Sequence, residues 1–593
     1  MLRLAQTGDA IAATTKKLEK TALVANYFRS LPVKDAALAA IFLSGRPFPS
    51  YEEATLQVGG TLVWRIIRDL SGQSEPALTE IYRKHGDAGA VAGEALPQRP
   101  GSELSLAAVE RVFLEIASAR GPSAKGSLLR ALLERATPLE AKYIVKIISG
   151  DLRIGLKESL VEEAIARAFD APLDQVKRAN MLLGDLGETL RLASREKLAH
   201  ARLRLFHPVD FMLASPVESS EEALRYFPRA SVEDKYDGIR AQAHILRGDA
   251  GSEVRIFSRT RDEITESFPE LPATLARLPK DAILDGEIVA WNPAWNSASD
   301  STSNSGGVGR ALPFSTLQQR LGRKKVSFRV MRDVPIAYLV FDVLYADGEL
   351  LLDRPLRERA KTLDKLMTPE APAPYHTGKD AFVPPVVPGL AAYTQPSQGL
   401  LAFATADSPT ATVLRAPVAN ASSADDLEAF FTAARERGNE GLVIKDPESL
   451  YTPGRRGKSW LKMKRELATL DVVVTAVEYG HGKRIGVLSD YTFAVWEGDR
   501  LVNIGKAYSG LTDAEIAEMT QWFLAHKVSE RGLRLEVEAK IVLEVAFNNM
   551  MRSTRHESGY ALRFPRIVRL RPDKSPGDAD TIETVKEIYR RQT

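Results

Sequence analysis

The spacing of apolar residues changes along the chain, and this change limits the possible folds more than any other sequence feature. Up to about residue 205, apolar residues recur at helical intervals, as in the stripe within residues 143–148. Residues 137–140 (TPLE) precede this stripe and form a capping-box pattern with proline at the first helical position. From about residue 206, short β-rich runs replace the helical pattern, for example 254–258 and 336–344. The sequence therefore predicts an all-α first part followed by a β-rich remainder.

At 593 residues the chain is too long for one hydrophobic core, so several domains are expected. We interpret the pattern as three domains: a helical domain over 1–205, a β-rich domain over 206–466 and a third domain over 467–593. The third region combines short strands with a single helix predicted over 513–523, which is typical of a small β-barrel such as an OB-fold.

Two segments within the second region have compositions that do not predict secondary structure. Residues 296–309 are rich in Ser, Gly and Asn, and residues 368–420 are rich in Pro, Ala and Thr with little periodicity. We expect both to be surface loops inserted between more regular elements.

Composition excludes several classes of site. The chain has no cysteine, which rules out disulfides, thiolate zinc sites and cysteine nucleophiles, and its eight histidines are scattered. Any metal is therefore expected to be a hard ion held by carboxylates. No signal peptide is evident, and no run approaches the ~18 apolar residues of a membrane helix, so we expect a cytoplasmic protein without a membrane partner. A net charge of +3 neither requires nor excludes a nucleic-acid partner.

The first candidate for chemistry is Lys235 in residues 233–240 (EDKYDGIR). A lysine amine attacks phosphorus or carbonyl centres only when it is unprotonated, and nearby cations such as Arg240 favour that state. We expect Gly238 to let the backbone turn sharply beneath bound phosphates.

Three further runs carry charged or aromatic residues on predicted strands. Glu287 is expected after a tight turn in residues 283–287, and Phe341 supplies an aromatic ring that could stack on a base, although a plain core role also fits it. Glu440 and Lys445 lie five residues apart, so they can share one strand face only if the strand twists or ends. Glu440 also fits a solvated surface role.

Lys462 and Lys464 lie two residues apart, which places both on one face of a predicted strand. Two adjacent like charges are unfavourable unless an anion lies between them, and a triphosphate would serve. An exposed strand face is the alternative explanation.

Taken in order, these runs resemble the motifs of the covalent nucleotidyltransferases, which comprise DNA ligases, RNA ligases and mRNA capping enzymes. The resemblance is closest to ATP-dependent DNA ligases of the archaeal and eukaryotic replicative type, and it spans nearly the whole chain. Residues 143–155, 257–260 (FSRT) and 561–574 resemble further motifs of that family. The resemblance implies a multidomain fold: an all-α DNA-binding domain, an α+β nucleotidyltransferase (adenylation) domain and a C-terminal OB-fold β-barrel.

The resemblance also assigns roles to residues. Lys235 matches the nucleophile that forms a lysyl–AMP, and Glu233 matches the position that reads the adenine amino group. Arg240 and Glu287 match ribose contacts, and Phe341 matches the residue that stacks on adenine.

The remaining matched residues are charged. Arg259 matches an arginine that contacts the nucleotide or the 5′-phosphate of a nick. The residues that resemble phosphate-binding cations are Lys445, Arg456, Lys462 and Lys464. Glu287 and Glu440 resemble the carboxylates near Mg²⁺, and Arg571 and Lys574 resemble the residues that orient the pyrophosphate leaving group.

The implied reaction uses ATP as AMP donor with Mg²⁺ and seals 5′-phosphate/3′-hydroxyl nicks in double-stranded DNA, in replication, repair and recombination. The implied protein is a monomer, nucleoid-associated if prokaryotic; recruitment of a sliding clamp stays open.

Three alternative classes of protein share part of this pattern. NAD-dependent ligases carry a four-cysteine zinc module, which a chain without cysteine cannot form. GTP-dependent capping enzymes lack a helical region of about 200 residues before the nucleophile. A catalytically dead scaffold on a ligase fold would have no reason to keep Lys235, Glu440 and Lys462 together.

Overall fold

The chain is divided into two compact units. A computed structural model describes residues 1–52, 55–98, 101, 104–248, 251–293, 309–321, 326–368, 400–401, 412–464, 468–481 and 484–592. The first unit comprises Met1–Asn180, Asp185–Ala201 and Glu466–Thr593, and the second comprises Met181–Gly184 and Arg202–Arg465. The predicted three-domain boundaries stay a prediction.

The described residues up to Ala201 form a stack of helices, as the periodicity predicts. These are α1 (Leu2–Ala12), α2 (Lys17–Arg29), α3 (Val33–Leu43), α4 (Gly60–Ser71), α5 (Glu75–His85), α6 (Ala88–Ala95), α7 (Leu106–Ser118), α8 (Pro122–Arg135), α9 (Pro138–Ile148), α10 (Glu158–Ala168), α11 (Leu173–Leu183) and α12 (Leu186–Ala193). The predicted capping box is present at α9: Glu140 N–H donates to the Thr137 hydroxyl, and Thr137 N–H donates to the Glu140 carboxylate. The apolar face that follows is buried, which anchors this helix in the stack.

The second unit mixes strands with short helices. Its elements are β1 (Leu213–Val217), α13 (Ser220–Tyr226), β2 (Ala230–Asp234), β3 (Ile239–Gly248), β4 (Gly251–Ser258), α14 (Leu271–Leu275), β5 (Ala282–Asn292), β6 (Arg310–Ala311), α15 (Phe314–Gln318), α16 (Phe328–Asp333), β7 (Ile336–Ala346), β8 (Glu349–Leu350), α17 (Leu356–Met367), β9 (Leu400–Leu401), β10 (Thr412–Arg415), β11 (Ala419–Ala421), α18 (Ala424–Glu436), β12 (Leu442–Lys445) and β13 (Arg456–Met463).

These strands form two sheets. One has the order β1-β13-β12-β2-β11, and the other has the order β4-β3-β5-β7-β10-β9, with β6 on β5 and β8 on β7. Each sheet has its own apolar core, and a third apolar cluster around Val289, Leu339 and Leu414 borders Tyr236 and Phe341. Tyr236, which follows β2, and Phe341 of β7 therefore lie beside the same apolar layer.

One expectation about the insertions is wrong. The segment 368–420 was expected to lack regular structure, yet β10 pairs in parallel with β7, and β11, which begins at its end, pairs with β2. Strands of four and three residues are too short to show periodicity in a sequence. Residues 296–308, 369–399 and 402–411 lie outside the described residues.

The C-terminal part of the first unit is built from β14 (Ala468–Tyr479), β15 (Leu488–Glu497), β16 (Arg500–Ala507), α19 (Asp513–Ala525), β17 (Lys527–Arg531), β18 (Arg534–Val537), β19 (Val542–Phe547), β20 (Asn549–Arg552), β21 (Tyr560–Arg563), β22 (Arg566–Leu570) and α20 (Ile582–Gln592). The predicted helix over 513–523 is α19. The main sheet has the order β16-β15-β14-β18-β17, and β19 joins β14 to β22. Among the described residues, no helix combines the length and apolar character needed to cross a bilayer.

Candidate functional site

The pairing of β2 with β12 brings together two motifs about 200 residues apart. These strands are antiparallel, with Val443 opposite Glu233. Just beyond β2, the Lys235 N–H donates to the Gly441 carbonyl at 2.8 Å, and the Glu440 N–H donates to the Lys235 carbonyl at 2.9 Å. The backbones of Lys235, the candidate nucleophile, and Glu440 are therefore joined by the same ladder of hydrogen bonds.

Lys235 and Glu440 form an ion pair at the open end of this ladder. The Lys235 amine donates to the Glu440 carboxylate, and the two side chains are 23% and 22% exposed. Glu440 precedes β12, and Gly441 follows it with a φ of +147°. Strand β12 therefore starts after Glu440. The alternation of side chains along a strand then does not apply between Glu440 and Lys445, as their odd spacing required.

Glu233 and Lys445 form a second ion pair, and this one is buried. Lys445 Nζ lies 2.6 Å from Glu233 Oε2, and the side chains are 1% and 5% exposed. The Lys445 amine also lies 4.5 Å from the centre of the Phe341 ring and 4.3 Å from that of Trp460. Burial raises the pKa of Glu233 and lowers the pKa of Lys445, and each charge partly offsets the shift of its partner.

The resemblance groups Lys445 with the phosphate-binding cations, but its side chain lies in a different environment. Its amine is enclosed by two aromatic rings and a carboxylate, in a pocket suited to a flat, partly polar group. Phe341 is half-buried there and packs edge-on against Trp460, at a distance of 6.2 Å between ring centres. Sequence reasoning did not select Trp460, although it lies in the same run as Lys462.

Arg240 is held at the edge of this pocket. Its guanidinium donates to both oxygens of Asp285, at 3.1 and 2.7 Å, and to the Met212 carbonyl at 2.7 Å. Its central carbon lies 5.3 Å from the centre of the Phe341 ring. The two-point contact fixes the plane of the guanidinium and leaves little freedom of rotation.

Asp285 and Tyr451 are functional candidates that sequence reasoning missed. The Asp285 side chain is fully buried, and the Tyr451 hydroxyl donates to its Oδ2 at 2.7 Å. The Met212 N–H in turn donates to the Tyr451 hydroxyl at 3.1 Å. Asp285 could have been selected, because it stands two residues before Glu287; Tyr451 carries no such signal.

Two glycines of the motifs lie where neighbouring parts of the chain come close. Gly286 lies inside the continuous strand β5, so the predicted tight turn before Glu287 is wrong. A Cβ at Gly286 would lie 2.5 Å from the Tyr338 ring, and one at Gly238 would lie 2.3 Å from the Ile288 carbonyl oxygen. Neither glycine has a positive φ. Both positions need glycine because neighbouring parts of the chain pass too close for a side chain. The backbone does bend at Gly238, and its place beneath bound phosphates stays a prediction.

Glu287 is a half-buried carboxyl near several charges. Burial raises its pKa to about 8, against the opposing effects of Lys235 and Arg240, while Asp285 and Asp237 reinforce the rise. Two carboxylates therefore act on Lys235. Glu287 interacts with it through charge, and Glu440 contacts it directly.

A cluster of cations surrounds the Lys235 end of the site. Burial lowers the pKa of Lys462, and four neighbouring positive charges lower it further. These charges belong to Lys464, Lys235, Arg456 and Arg259. Arg259 follows the end of β4 and is exposed. Since like charges repel unless an anion relieves them, the cluster is suited to phosphate groups.

Arg571 and Lys574 lie in the first unit and share one acid there. The Arg571 guanidinium donates to Asp471 at 2.8 Å, and the Lys574 amine donates to the same carboxylate at 2.6 Å. Arg571 also lowers the pKa of the exposed Asp573 to about 2. Sequence reasoning did not select Asp471, which lies 100 residues before Arg571.

The residues around Lys235 fit a hard divalent cation. The available donors, Glu287 and Glu440, are carboxylates, and the high pKa of Glu287 indicates a position where added positive charge would be favourable. Within the described parts of the chain, no group of three or more acidic or histidine side chains forms a complete metal cage. Magnesium commonly retains water and substrate phosphate ligands beside one or two carboxylates, so two donors are sufficient.

An amine, a cluster of cations and a buried acid beside aromatic rings define a site that can hold a nucleotide and react with it. Residues 1–166 match the family model "DNA ligase N terminus", residues 211–381 and 401–464 match "ATP dependent DNA ligase domain", and residues 484–574 match "ATP dependent DNA ligase C terminal region". The chain belongs to the ATP-dependent DNA ligase family and is a ligase. The family resemblance of the motifs is confirmed.

Relatives align over the full chain. A "Probable DNA ligase" of Koribacter versatilis is 56% identical over 594 residues, covering 100% of this chain and 97% of the relative. A "DNA ligase" of Methanothrix thermoacetophila is 35% identical, covering 100% and 98%. The solved structure called "Pmar-Lig_PreS3" is 16% identical with a TM-score of 0.57, covering 96% and 99%, and shares the fold. The multidomain order of helical, nucleotidyltransferase and OB-like C-terminal parts agrees with these matches.

Proposed function

We propose that this protein seals nicks in double-stranded DNA through a lysyl–AMP on Lys235 and a DNA-adenylate. AMP passes from Lys235 to the 5′-phosphate of the nick, and the 3′-hydroxyl then attacks that phosphate and releases AMP. The direct contact between the Lys235 amine and the Glu440 carboxylate carries this proposal. It sets an amine and a proton acceptor side by side beneath a cluster of cations.

In the first step the Lys235 amine attacks the α-phosphorus of ATP. A nitrogen–phosphorus bond forms, the bond to pyrophosphate breaks, and the ammonium proton can pass to Glu440. Lys462, Lys464 and Arg456 bind the phosphates and stabilise the negative charge that develops there.

The nucleoside occupies the enclosed pocket. Phe341 stacks on adenine, and Glu233 accepts a hydrogen bond from its amino group. Arg240 and Glu287 contact the ribose, and Arg259 contacts the nucleotide or the 5′-phosphate of the nick. Because Lys445 is paired with Glu233 rather than lying with the cation cluster, we assign it to the base pocket.

Glu287 and Glu440 would hold Mg²⁺ beside Lys235. The bound ion supplies positive charge that offsets charge on the phosphates. We assign Arg571 and Lys574, on a C-terminal OB-fold barrel, to the orientation of the pyrophosphate leaving group.

The helical region and the basic C-terminal segment grip duplex DNA. Their contacts are chiefly with phosphates, so binding is independent of sequence and weakens with salt. We further propose a cytoplasmic monomer that acts in replication and repair.

Self-labelling tests the proposal. The protein is incubated with Mg²⁺ and either α-labelled ATP, α-labelled GTP or adenylate-labelled NAD, and covalent label is measured on the denatured chain. We expect label from ATP, and a loss of at least about 1000-fold in Lys235→Ala because no other group replaces the nucleophile. Lys361→Ala, at an exposed lysine of α17, is the control and should label normally. Label from GTP or NAD alone, or from none of the three, would overturn the proposal.

A further inference from the structure

Asp234 lies between Glu233 and Lys235 in the sequence, and its side chain binds partners other than theirs. Successive side chains of an extended strand point to opposite faces, so Asp234 faces away from Glu233 and Lys235. Its side chain is only 10% exposed. A largely buried carboxylate needs partners, and the partners of Asp234 lie on the segment that carries Glu440.

Two side chains from that segment bind the Asp234 carboxylate. Arg437 donates from Nε to Oδ2 and from Nη2 to Oδ1, both at 2.8 Å. Asn439 donates from Nδ2 to Oδ2 at 2.7 Å. We call these three residues the Asp234 clamp. A two-point arginine–carboxylate contact restricts both distance and orientation, so the clamp fixes the segment in two directions.

The clamp lies at the end of α18, where the backbone would otherwise have freedom. Arg437 caps this helix, and Gly438 follows with a φ of +81°. The Asn439 N–H donates to the Ala434 carbonyl at 3.0 Å, which completes the final turn. The Asn439 side chain is buried, so the turn is also packed. Glu440 is the next residue, and its position follows from the turn.

The clamp and the reactive pair run side by side. Asp234 precedes Lys235, and Asn439 precedes Glu440, so the contact between Asp234 and Asn439 lies one residue from the contact between Lys235 and Glu440. Gly441, on the other side of Glu440, has a φ of +147°, and a Cβ there would lie 2.2 Å from the Met463 carbonyl oxygen. Glu440 is therefore bordered by a restricted turn on one side and a restricted glycine on the other.

We propose that the Asp234 clamp is a positioning device that holds the Glu440 carboxylate on the Lys235 amine for the first step. The inference rests on the lysyl–AMP reaction proposed above. In this proposal Asp234, Arg437 and Asn439 act on the reaction through the position of Glu440.

The test measures single-turnover self-adenylylation as a function of ATP concentration. Asp234→Asn removes the negative charge and replaces one of the two acceptor oxygens with an NH2 donor, so the two-point contact with Arg437 is lost. We expect the maximal rate to fall about 10-fold, because small displacements of a catalytic group are costly. The KM for ATP should stay within about 2-fold, since no nucleotide contact changes. Asp234→Glu, which keeps the carboxylate, should recover part of the rate. Glu448→Gln is the control, because Glu448 pairs with Arg357 at 2.7 Å in the same unit.

A second arm distinguishes positioning from general stability. Glu440→Asp keeps the carboxylate charge but withdraws it by one methylene. In that background Asp234→Asn should slow the reaction by less than about 2-fold, because contacts that act through one group are not additive. Arg437→Lys is a milder variant for the case in which Asp234→Asn does not fold, and the same dependence on Glu440 is expected.

The outcomes separate the two proposals. Unlabelled wild-type protein would refute the lysyl–AMP reaction. Normal labelling of wild type with an unchanged rate in both Asp234→Asn and Arg437→Lys would refute the clamp alone. A rise in KM at constant maximal rate, or an equal loss in the Glu440→Asp background, would also refute it.

Discussion

Two glutamate–lysine pairs join the same two segments of chain, and they differ in their access to water. Glu233 and Lys235 belong to the β2 run, while Glu440 and Lys445 belong to the β12 run. Each glutamate pairs with the lysine of the opposite run. The Glu233–Lys445 pair is almost fully buried, whereas about a fifth of each side chain in the Lys235–Glu440 pair is exposed.

This difference in exposure indicates that one pair stabilises the structure and the other takes part in the reaction. A buried pair is difficult to part, because either charge alone would be left in an apolar enclosure. A partly hydrated pair can exchange its partner for a substrate at little cost. We infer that the buried pair maintains the pocket and that the open pair performs the chemistry. Two predictions test that division, and two more concern charged groups near the pairs.

The largest effect is expected on stability when the buried pair is broken. Lys445→Met leaves Glu233 unpaired, and we expect the free energy of unfolding at pH 7 to fall by about 3 kcal/mol. The loss should shrink at lower pH, because an unpaired Glu233 then takes up a proton. Urea denaturation measures both effects. The double variant Glu233→Gln/Lys445→Met should recover most of the stability, and a single variant as stable as wild type would contradict the division.

Removing the Glu440 carboxylate, which belongs to the partly exposed pair, should lower the rate of self-adenylylation rather than the stability. We expect Glu440→Gln to slow self-adenylylation about 100-fold, because the lysine loses its proton acceptor. The free energy of unfolding should change by less than about 1 kcal/mol, since the pair is partly hydrated. Single-turnover labelling and urea denaturation measure the two quantities. A stability loss as large as that of Lys445→Met would show that the two pairs do the same work.

A smaller effect is expected within the cation cluster. Lys462→Ala should raise the KM for ATP about 10-fold, because one charge-assisted contact with the phosphates is lost. Lys458→Ala is the control on the same strand, since Lys458 is exposed and lies over the Tyr226 ring. ATP-dependent labelling measures KM, and an equal rise in both variants would argue for general electrostatic attraction.

The smallest predicted effect concerns the pH dependence of stability. The pKa of Glu287 is raised from its ordinary 4.5 to about 8. The folded chain therefore holds this proton more tightly than the unfolded chain between about pH 4.5 and pH 8, and stability falls as pH rises through that window. Glu287→Gln does not titrate, so it should gain at least about 1 kcal/mol relative to wild type between pH 5 and pH 8. Urea denaturation at several pH values measures the difference; a constant difference would contradict the raised pKa.

Much of the architecture was predictable because its signals are local. Helical spacing and the 137–140 capping box predicted α9, and alternating runs predicted the strands that carry Phe341 and Lys462. The order of the motifs in the sequence is sufficient to identify the ligase family. Assignments of individual residues to ATP contacts stay predictions.

Partners from distant segments were not predictable. The clamp of Asp234 by Arg437 and Asn439 depends on the register of β2 against β12, and no local pattern encodes that register. The enclosure of Lys445 by Phe341 and Trp460 depends on the packing of separate strands. Asp285 and Tyr451 likewise support Arg240 from positions far apart in sequence. Short strands such as β10 were missed because four residues carry too little periodicity.

The long separation between the two runs has a consequence for protein synthesis. Lys235 and Glu440 are 205 residues apart in sequence, and their contact needs both strands. When the ribosome has synthesised residues 233–240, it has not yet synthesised Glu440, which contacts Lys235 in the folded protein. Bringing such distant segments together carries an entropic cost that the surrounding sheet must overcome. The reactive pair can therefore form only after translation has passed residue 445, so a nascent chain holds the lysine well before it can use it.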